Sequence, residues 1–159
     1  MEKLSPGQSA PSFTLPDGDG VPVSLSQFKG KWLVLYFYPR DNTSGCTIEA
    51  IDFTLSIADF RQLNAEIAGI SPDSCSSHKK FAVTHELGHK LLSDPDRSVI
   101  QKYGVWQEKK LYGKKSMGVV RSTFLISPEG KIAHAWYGVK VKGHADQVLF
   151  KLRELASGK

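Results

Sequence analysis

Residues 32–46, WLVLYFYPRDNTSGC, decide the fold of this chain because they join a strand to the start of a helix. The run Trp32–Tyr38 consists of Leu, β-branched and aromatic residues, which is typical of a buried strand. Pro39 ends this run, and a polar loop with Asp, Asn, Thr, Ser and Gly follows it. From Thr47 onward the apolar residues recur every three or four positions, which predicts a helix. The residues with this spacing are Ile48, Ile51, Leu55 and Ala58.

Cys46 lies at the start of this predicted helix, which we expect to run to about Asn64. The unpaired N–H groups and the positive end of the helix dipole favour an anion at a helix N-terminus. For a cysteine that anion is the thiolate, which is the nucleophilic form of the side chain. The sequence therefore predicts a reactive cysteine at the C-terminal edge of a β-sheet.

The remaining sequence alternates strand patterns with helical patterns and ends in a β-hairpin and a helix. Glu66–Ser71 is a second predicted strand, and Ser74 is a good N-cap residue for the helix after it. Val119–Ser127 and Lys131–Tyr137 predict two strands joined by a tight turn. This order indicates an α/β fold with a central mixed β-sheet flanked by helices. We expect residues 1–159 to form a single domain.

Composition excludes several classes of protein. The chain has 159 residues, 21 Lys and Arg against 16 Asp and Glu, and an ordinary apolar fraction of 40%. The N-terminal residues contain no long apolar segment, so we expect a cytoplasmic protein without a membrane partner. The basic residues are scattered except in a Lys-rich turn between 109 and 115, which we interpret as a solvated hairpin. No recognised binding motif accompanies this charge, so nucleic acid is not an expected partner.

The stretch from Pro39 through Cys46 has the pattern Pro-x-x-x-Thr-x-x-Cys and resembles the peroxidatic motif of peroxiredoxins. Within that family the chain is most similar to the bacterioferritin-comigratory, or Q-type, subfamily. The stretches that carry the resemblance cover nearly the whole chain in the expected order. They are PGQSAPSFTLPDGDG, VLYFYPRDNTSGCT, GISPDS, LLSDPD, YGVW and RSTFLISPEGKI. The resemblance implies a thioredoxin-like fold and a thiol-dependent peroxidase for hydrogen peroxide and organic hydroperoxides.

The resemblance also implies roles for individual residues. Cys46 corresponds to the peroxidatic nucleophile, and Thr43 to the residue whose hydroxyl hydrogen-bonds the thiolate or the peroxide. Pro39 corresponds to the residue that shields the pocket from water, and Arg121 to the active-site arginine. An arginine suits this chemistry because its permanent charge and five N–H donors can hold the thiolate and the peroxide together. Glu49 either orients that arginine or is a solvated acid in the first helical turn.

The resolving step departs from the family pattern. Many Q-type members have a resolving cysteine at the position of Ile51 or near that of Ala82, and this chain has cysteine at neither place. The other cysteine, Cys75, follows the strand Glu66–Ser71 and should lie at the same sheet edge as Cys46. Two interpretations stay open: Cys75 forms a disulfide with Cys46, or an external thiol reduces a one-cysteine enzyme.

Residues 85–89, HELGH, match the His-Glu-x-x-His pattern of zinc proteases. That site needs one continuous helix, and Gly88 and the strand pattern from Leu91 argue against such a helix. We interpret the match as chance and expect neither a metal nor a cofactor.

The leading hypothesis is a peroxidase whose Cys46 cycles through a sulfenic acid. We expect thioredoxin or a glutaredoxin-like protein as its reductant. The alternative is a peroxide-sensing redox relay protein with little turnover of its own. A general disulfide reductase is disfavoured because the chain has no Cys-x-x-Cys pair. The resemblance favours a monomer, with a dimer as the second option.

Overall fold

The computed structural model describes residues 4–158. Strands and helices alternate through most of this part of the chain, as the sequence predicts. The strands are β1 (Thr14–Pro16), β2 (Pro22–Ser24), β3 (Trp32–Phe37), β4 (Ala65–Ser71), β5 (Lys90–Ser93), β6 (Trp106–Leu111), β7 (Lys114–Val119), β8 (Ser122–Ile126) and β9 (Ile132–Tyr137). The α-helices are α1 (Ser44–Leu55), α2 (Ile57–Gln62), α3 (Cys75–His85), α4 (Ser98–Lys102) and α5 (His144–Gly158).

A five-stranded mixed sheet forms the centre, with the strand order β5-β4-β3-β8-β9. Strand β3 is parallel to β4 on one side and antiparallel to β8 on the other. The pairs β1–β2 and β6–β7 are separate antiparallel hairpins. The predicted α/β class with a mixed sheet is therefore confirmed.

Strand β3 separates two hydrophobic cores because its side chains point alternately to opposite faces of the sheet. Leu33, Leu35 and Phe37 pack in one core, together with residues of the β1–β2 hairpin and α4. Val34 and Tyr36 pack in the other, against residues of α1, α2, α3 and α5. Burial of both faces explains why the sequence of this strand is a continuous apolar run.

The helices α1 and α3 begin at the same edge of the sheet. Strands β3 and β4 are parallel, so their C-terminal ends meet there, and each is followed by a short loop and a helix. Cys46 lies in the first turn of α1 and Cys75 is the first residue of α3. The sheet topology therefore places both cysteines at one edge.

The helix predicted from Cys46 to Asn64 is wrong in two respects. It is two helices, because α1 ends at Leu55 and Ser56 leaves the helical conformation before α2. The predicted apolar stripe also faces the wrong way, since Ile48 is 51% and Leu55 77% exposed. The face against the sheet is formed by Cys46, Glu49, Ala50 and Phe53.

The predicted strand Val119–Ser127 is also divided. Val119 ends β7, β8 begins at Ser122, and Arg121 lies in the two-residue connection between them. Arg121 is therefore not a member of an apolar strand, as the sequence suggested, but lies where the chain enters the central sheet.

None of the helices between residues 4 and 158 is long and apolar enough to cross a membrane.

Candidate active site

Cys46 is held in the buried face of α1. Its side chain is 1% exposed and packs in the core between α1 and the sheet. Thr43 is the N-cap residue of α1, and its carbonyl oxygen accepts a hydrogen bond from the Thr47 amide at 2.9 Å. The sulfur therefore lies in the first turn, where the helix amides favour negative charge.

Arg121 contacts the Cys46 sulfur directly. Its Nη2 donates a hydrogen bond to Sγ at 3.1 Å, across a sequence separation of 75 residues. Gly45 leaves room for this approach, since a Cβ atom at that position would lie 3.3 Å from Nη2. A permanent cation therefore lies within hydrogen-bond distance of the sulfur.

Glu49 holds the same guanidinium from the other side. Arg121 Nη1 donates to Glu49 Oε1 at 2.6 Å, and the Glu49 side chain is only 1% exposed. Burial raises the pKa of Glu49 to about 7, although the Arg121 charge and hydrogen bond act to lower it. The other carboxylate oxygen, Oε2, is buried and has no hydrogen-bond partner among residues 4–158.

The guanidinium keeps its charge in this setting. Burial acts to lower the pKa of Arg121, but Glu49 and Cys46 outweigh that effect and raise it. Both partners of the guanidinium are on α1, one turn apart, and each binds a different Nη atom. Arg121 therefore links the sulfur to a buried carboxylate in a fixed orientation.

The predicted residues of the polar loop lie beside this centre. The Thr43 hydroxyl donates to the Arg40 carbonyl oxygen at 3.0 Å, so in this structure it is used within the loop. Pro39 is half-buried and follows β3 after one intervening residue. Of the predicted site residues, Arg121 contacts Cys46 directly and Glu49 contacts Arg121. Thr43 and Pro39 lie in the loop before α1.

Cys75 has a different environment from Cys46. It is half-buried, forms no disulfide, and is the first residue of α3. The cap of that helix is Ser74, whose side chain accepts a hydrogen bond from the Ser77 amide, as the sequence predicts. No hydrogen bond or ion pair reaches the Cys75 sulfur from the part of the chain that the structure describes.

A buried polar network joins the two cysteine-bearing segments. Asp41, in the Cys46 loop, accepts hydrogen bonds from the Tyr38 hydroxyl at 2.7 Å and the Ser77 hydroxyl at 2.8 Å. His78 Nδ1 lies 2.8 Å from the same carboxylate, and the Asp41 amide donates to Asp73 Oδ2 at 2.7 Å. We name this set the loop–helix network. It fastens the loop before Cys46 to the N-terminus of α3.

His78 belongs to the loop–helix network, a role that the sequence pattern does not predict. His78 is fully buried and contacts Asp41 and the Leu92 carbonyl oxygen, the latter at 3.0 Å. Burial acts to raise the pKa of Asp41, but its hydrogen bonds, with His78 first among them, outweigh burial and lower it. Asp41 and His78 are far apart in the sequence, so no local pattern could have predicted their contact.

Two histidine-containing groups were candidates for a metal site, the Asp41, Asp73 and His78 cluster and the HELGH segment. The contacts of both argue against that role. Asp41, Asp73 and His78 have ligand atoms within 4.8 Å of one another, but these atoms bind each other and Ser71 by hydrogen bonds. In HELGH, α3 ends at His85 and Glu86 takes a left-handed conformation. The two histidines therefore do not share a helix, which the zinc-protease motif requires.

The sequence analysis missed three residues of this site: Gly45, Asp41 and His78. Gly45 directly precedes the cysteine, so a requirement for close approach was the available signal. Asp41 and His78 offered no such signal because their partnership depends on the parallel pairing of β3 and β4.

Comparison with known proteins decides the family. The model of the AhpC/TSA family matches residues 6–135, which include Cys46, Cys75 and Arg121. This chain belongs to the AhpC/TSA family. Its relatives are named peroxiredoxins, and the chain is accordingly a peroxiredoxin of the Bcp, or Q, type: a thiol peroxidase with a peroxidatic cysteine. The redox-relay alternative is not favoured.

The relatives match over nearly their full length. Peroxiredoxin Bcp of Bacillus subtilis is 46% identical over 150 residues, 94% of this chain and 96% of the relative. A putative peroxiredoxin Bcp of Helicobacter pylori is 47% identical over 152 residues, 96% of this chain and all of the relative. The identity is far above the level at which fold alone is shared.

Solved structures give the same result. Peroxiredoxin Q of Xanthomonas campestris has a TM-score of 0.88 at 43% identity, covering 91% of this chain and 92% of that one. A cysteine-to-serine mutant of Xylella fastidiosa PrxQ has a TM-score of 0.93 at 37% identity, covering 99% and 100%. The predicted thioredoxin-like peroxiredoxin fold is therefore confirmed.

Proposed function

We propose that Cys46 is the peroxidatic nucleophile of this peroxiredoxin and that Arg121 is its main electrostatic partner. The observation that supports this most is the 3.1 Å contact from Arg121 Nη2 to Cys46 Sγ. A half-buried arginine is stabilised by anionic partners, and Arg121 hydrogen-bonds the sulfur and Glu49. Cys75 lacks such a partner within residues 4–158, so it is the weaker nucleophile of the two.

In the first step the Cys46 thiolate attacks one oxygen of the peroxide. A sulfur–oxygen bond forms as the O–O bond breaks, and its electron pair leaves on the second oxygen as hydroxide or alkoxide. That oxygen takes up a proton and departs as water or an alcohol. The cysteine is oxidised to a sulfenic acid and the peroxide is reduced. Negative charge moves from sulfur to the leaving oxygen, so donors placed on both atoms lower the barrier.

The other site residues serve this charge transfer. Arg121 can contact both reacting atoms with its several N–H groups, while Glu49 fixes the plane of the guanidinium. The Thr43 hydroxyl leaves the Arg40 carbonyl oxygen when substrate binds and donates to the peroxide. Pro39, half-buried beside the loop, limits access of water to the sulfur.

Cys75 then resolves the sulfenic acid. Its thiolate attacks the oxidised sulfur of Cys46, the S–O bond breaks, and the released hydroxide leaves as water after protonation. The product is a Cys46–Cys75 disulfide, which a dithiol protein reduces by two thiol–disulfide exchanges while becoming a disulfide itself. Because Cys46 is 1% exposed, the first turn of α1 must unwind before the sulfurs can meet. In the competing scheme an external thiol attacks the sulfenic acid and Cys75 takes no part.

The proposed substrates are hydrogen peroxide and organic hydroperoxides. One similar structure, of the Xanthomonas campestris bacterioferritin comigratory protein, concerns its alkyl peroxide reduction activity. We propose thioredoxin or a glutaredoxin-like protein as the reductant. A cytoplasmic location, a monomeric state and a single domain over residues 1–159 stay predictions from the sequence.

The test is peroxide consumption by Cys46→Ser, with Cys75→Ser as the matched control. The first variant should lose all consumption because it has no nucleophile at the Arg121 centre. The second should still reduce one equivalent of peroxide in a single turnover. Retained turnover by Cys46→Ser would sink the assignment.

A further inference from the structure

The β6–β7 hairpin carries a group of lysines that the proposed chemistry does not use. We name Lys109, Lys110, Lys114 and Lys115 the lysine arm; all four side chains are exposed. Between residues 4 and 158 none of them forms an ion pair with an acidic side chain. Lys109 and Lys114 lie on one face of the hairpin and Lys110 and Lys115 on the other, so the lysine arm carries unpaired positive charge on both faces.

Two of these lysines face each other across the hairpin. Lys110 pairs with Lys115 in the antiparallel register. Like charges directly opposite one another destabilise a strand pair. A hairpin selected only for stability would place an acidic residue at one of these positions, so the repulsion points to a use outside the hairpin.

The inner end of the lysine arm reaches the active site. Strand β7 ends at Val119, and Arg121 follows after one intervening residue. The Lys109 side chain lies over Gly118, and a Cβ atom on Gly118 would be 3.1 Å from Lys109 Cδ. The aliphatic part of Lys109 therefore points toward the base of the hairpin. Burial and the Arg121 charge lower the pKa of Lys109, and Cys46 acts to raise it. The Lys109 stem therefore extends toward the end of β7 that leads to Arg121.

Two exposed side chains of the hairpin are suited to contact with another protein, one at the turn and one opposite Glu108. Tyr112, at the turn, is 94% exposed, and Met117 is 51% exposed. Tyrosine, other aromatic residues and methionine are enriched in protein–protein interfaces. Exposed apolar area beside uncompensated charge is the composition of a docking surface.

The length of the lysine arm excludes a small substrate as its occupant. Strand β7 has six residues, and at about 3.3 Å per residue it spans roughly 17 Å from Lys114 to Val119. A peroxide that reacts at Cys46 cannot contact Lys114 and Lys115 at the same time. The occupant must be a macromolecule that comes to the Cys46 site, and in each catalytic cycle that macromolecule is the reductant.

We infer that the lysine arm docks the acidic face of the dithiol protein that reduces the oxidised enzyme. This inference rests on the proposed function, because it assigns a partner to the same site. Complementary charge raises the rate of encounter, and salt screens the effect. The arm therefore contributes to the reductive half of the cycle and not to the attack on peroxide.

The experiment compares Lys110→Gln/Lys115→Gln with a control of equal charge change, Lys29→Gln/Lys131→Gln. Lys29 and Lys131 are exposed and lie at the opposite sheet edge, before β3 and β9. Three rates are measured: reduction of oxidised enzyme by a thioredoxin of acidic pI, reduction by dithiothreitol, and oxidation by hydrogen peroxide. The thermal midpoint of each variant is measured as well, and removing the like-charge pair should not lower it.

For the arm variant we expect a five- to tenfold lower kcat/KM for thioredoxin at about 10 mM ionic strength, where the Debye length is about 30 Å. The difference should nearly vanish at about 1 M, where that length is about 3 Å. Dithiothreitol and peroxide rates should stay within about twofold of the wild type, and the control variant should resemble the wild type in all three.

Equal thioredoxin rates for the two variants would overturn the inference. So would a loss confined to binding of duplex DNA or of anionic lipid vesicles, which would assign the arm to another polyanion. A wild-type enzyme that dithiothreitol reduces and acidic thioredoxin and glutaredoxin do not would overturn it too. Failure of the proposed function itself is separately visible, because hydrogen peroxide would then not oxidise any of the proteins.

Discussion

The two strand–helix junctions of this peroxiredoxin have the same local design and different chemistry. After β3 and after β4 a short polar loop leads to a cysteine at the start of a helix. Cys46 is 1% exposed and bonded to Arg121, whereas Cys75 is half-buried and has no charged partner in the described chain. A helix N-terminus is therefore not what distinguishes Cys46, the proposed peroxidatic cysteine, from Cys75. The distinction comes from an arginine on the β7–β8 connection, distant in sequence.

The largest expected effect comes from removing the geometry that only the first junction has. Arg121→Lys keeps the charge but cannot bond Cys46 and Glu49 through two separate nitrogens. We expect the second-order rate with hydrogen peroxide to fall by about 10²–10³, the usual loss when one preorganised donor is removed. Stopped-flow measurement of the oxidation rate tests this, with the exposed Arg153→Lys as control. A rate equal to that of the wild type would mean that Arg121 does not distinguish the junctions.

A second variant tests whether the buried Glu49 carboxylate sets the pH dependence of Cys46 oxidation at the first junction. Burial raises the pKa of Glu49 to about 7, so its carboxylate is charged above that pH and neutral below it. The charged form holds Arg121, and activity should therefore fall as pH decreases through about 7. In Glu49→Gln this step should be absent.

The measurement is the ratio of wild-type to Glu49→Gln oxidation rates between about pH 5 and 9. Taking the ratio cancels the pH effects that are common to both proteins. We expect a ratio near one at low pH that rises several-fold to a plateau above about 7. A ratio independent of pH would separate Glu49 from the reaction.

The smallest effect concerns the loop–helix network, which ties the two junctions together. His78→Asn removes one of the partners that hold Asp41 and should loosen the Cys46 loop from α3. We expect the disulfide to form about two- to fivefold faster, and less Cys46 to reach the sulfinic acid at high peroxide. His89→Asn is the control, because His89 is also buried and its Nε2 lies 2.7 Å from the Tyr36 hydroxyl.

Both variants should lose stability by about 1–3 kcal/mol, since each leaves a buried polar group without its partner. Only His78→Asn should change the division between disulfide and sulfinic acid. Equal division in the two variants would reduce the network to a purely structural role.

Local sequence predicted the parts of the fold that depend on local physics. The apolar run of β3, the Ser74 cap and the helix start at Cys46 each follow from a short pattern. The break between α1 and α2 at Ser56 does not follow from a short pattern, because it contains no Gly or Pro. The prediction of the buried face of α1 was wrong. Glu49 is buried together with its ion pair, whereas Ile48 lies at the surface.

The site was predictable to a similar extent. The resemblance to peroxiredoxins named Cys46, Thr43 and Arg121 as site residues, and the structure adds the contacts around them. The loop–helix network and the role of Gly45 depend on which strands are neighbours, and sequence patterns do not contain that information.

The central claim is that both junctions serve one redox cycle, with Cys46 oxidised first and Cys75 resolving it. The most direct test is intact mass after one equivalent of hydrogen peroxide, with thiols blocked under denaturing conditions, for the wild type and Cys75→Ser. We predict that the wild type loses about 2 Da and has no blockable thiol. Cys75→Ser should gain about 16 Da as the sulfenic acid. A wild type that also gains about 16 Da and keeps one blockable thiol would contradict the account and leave Cys75 outside the cycle.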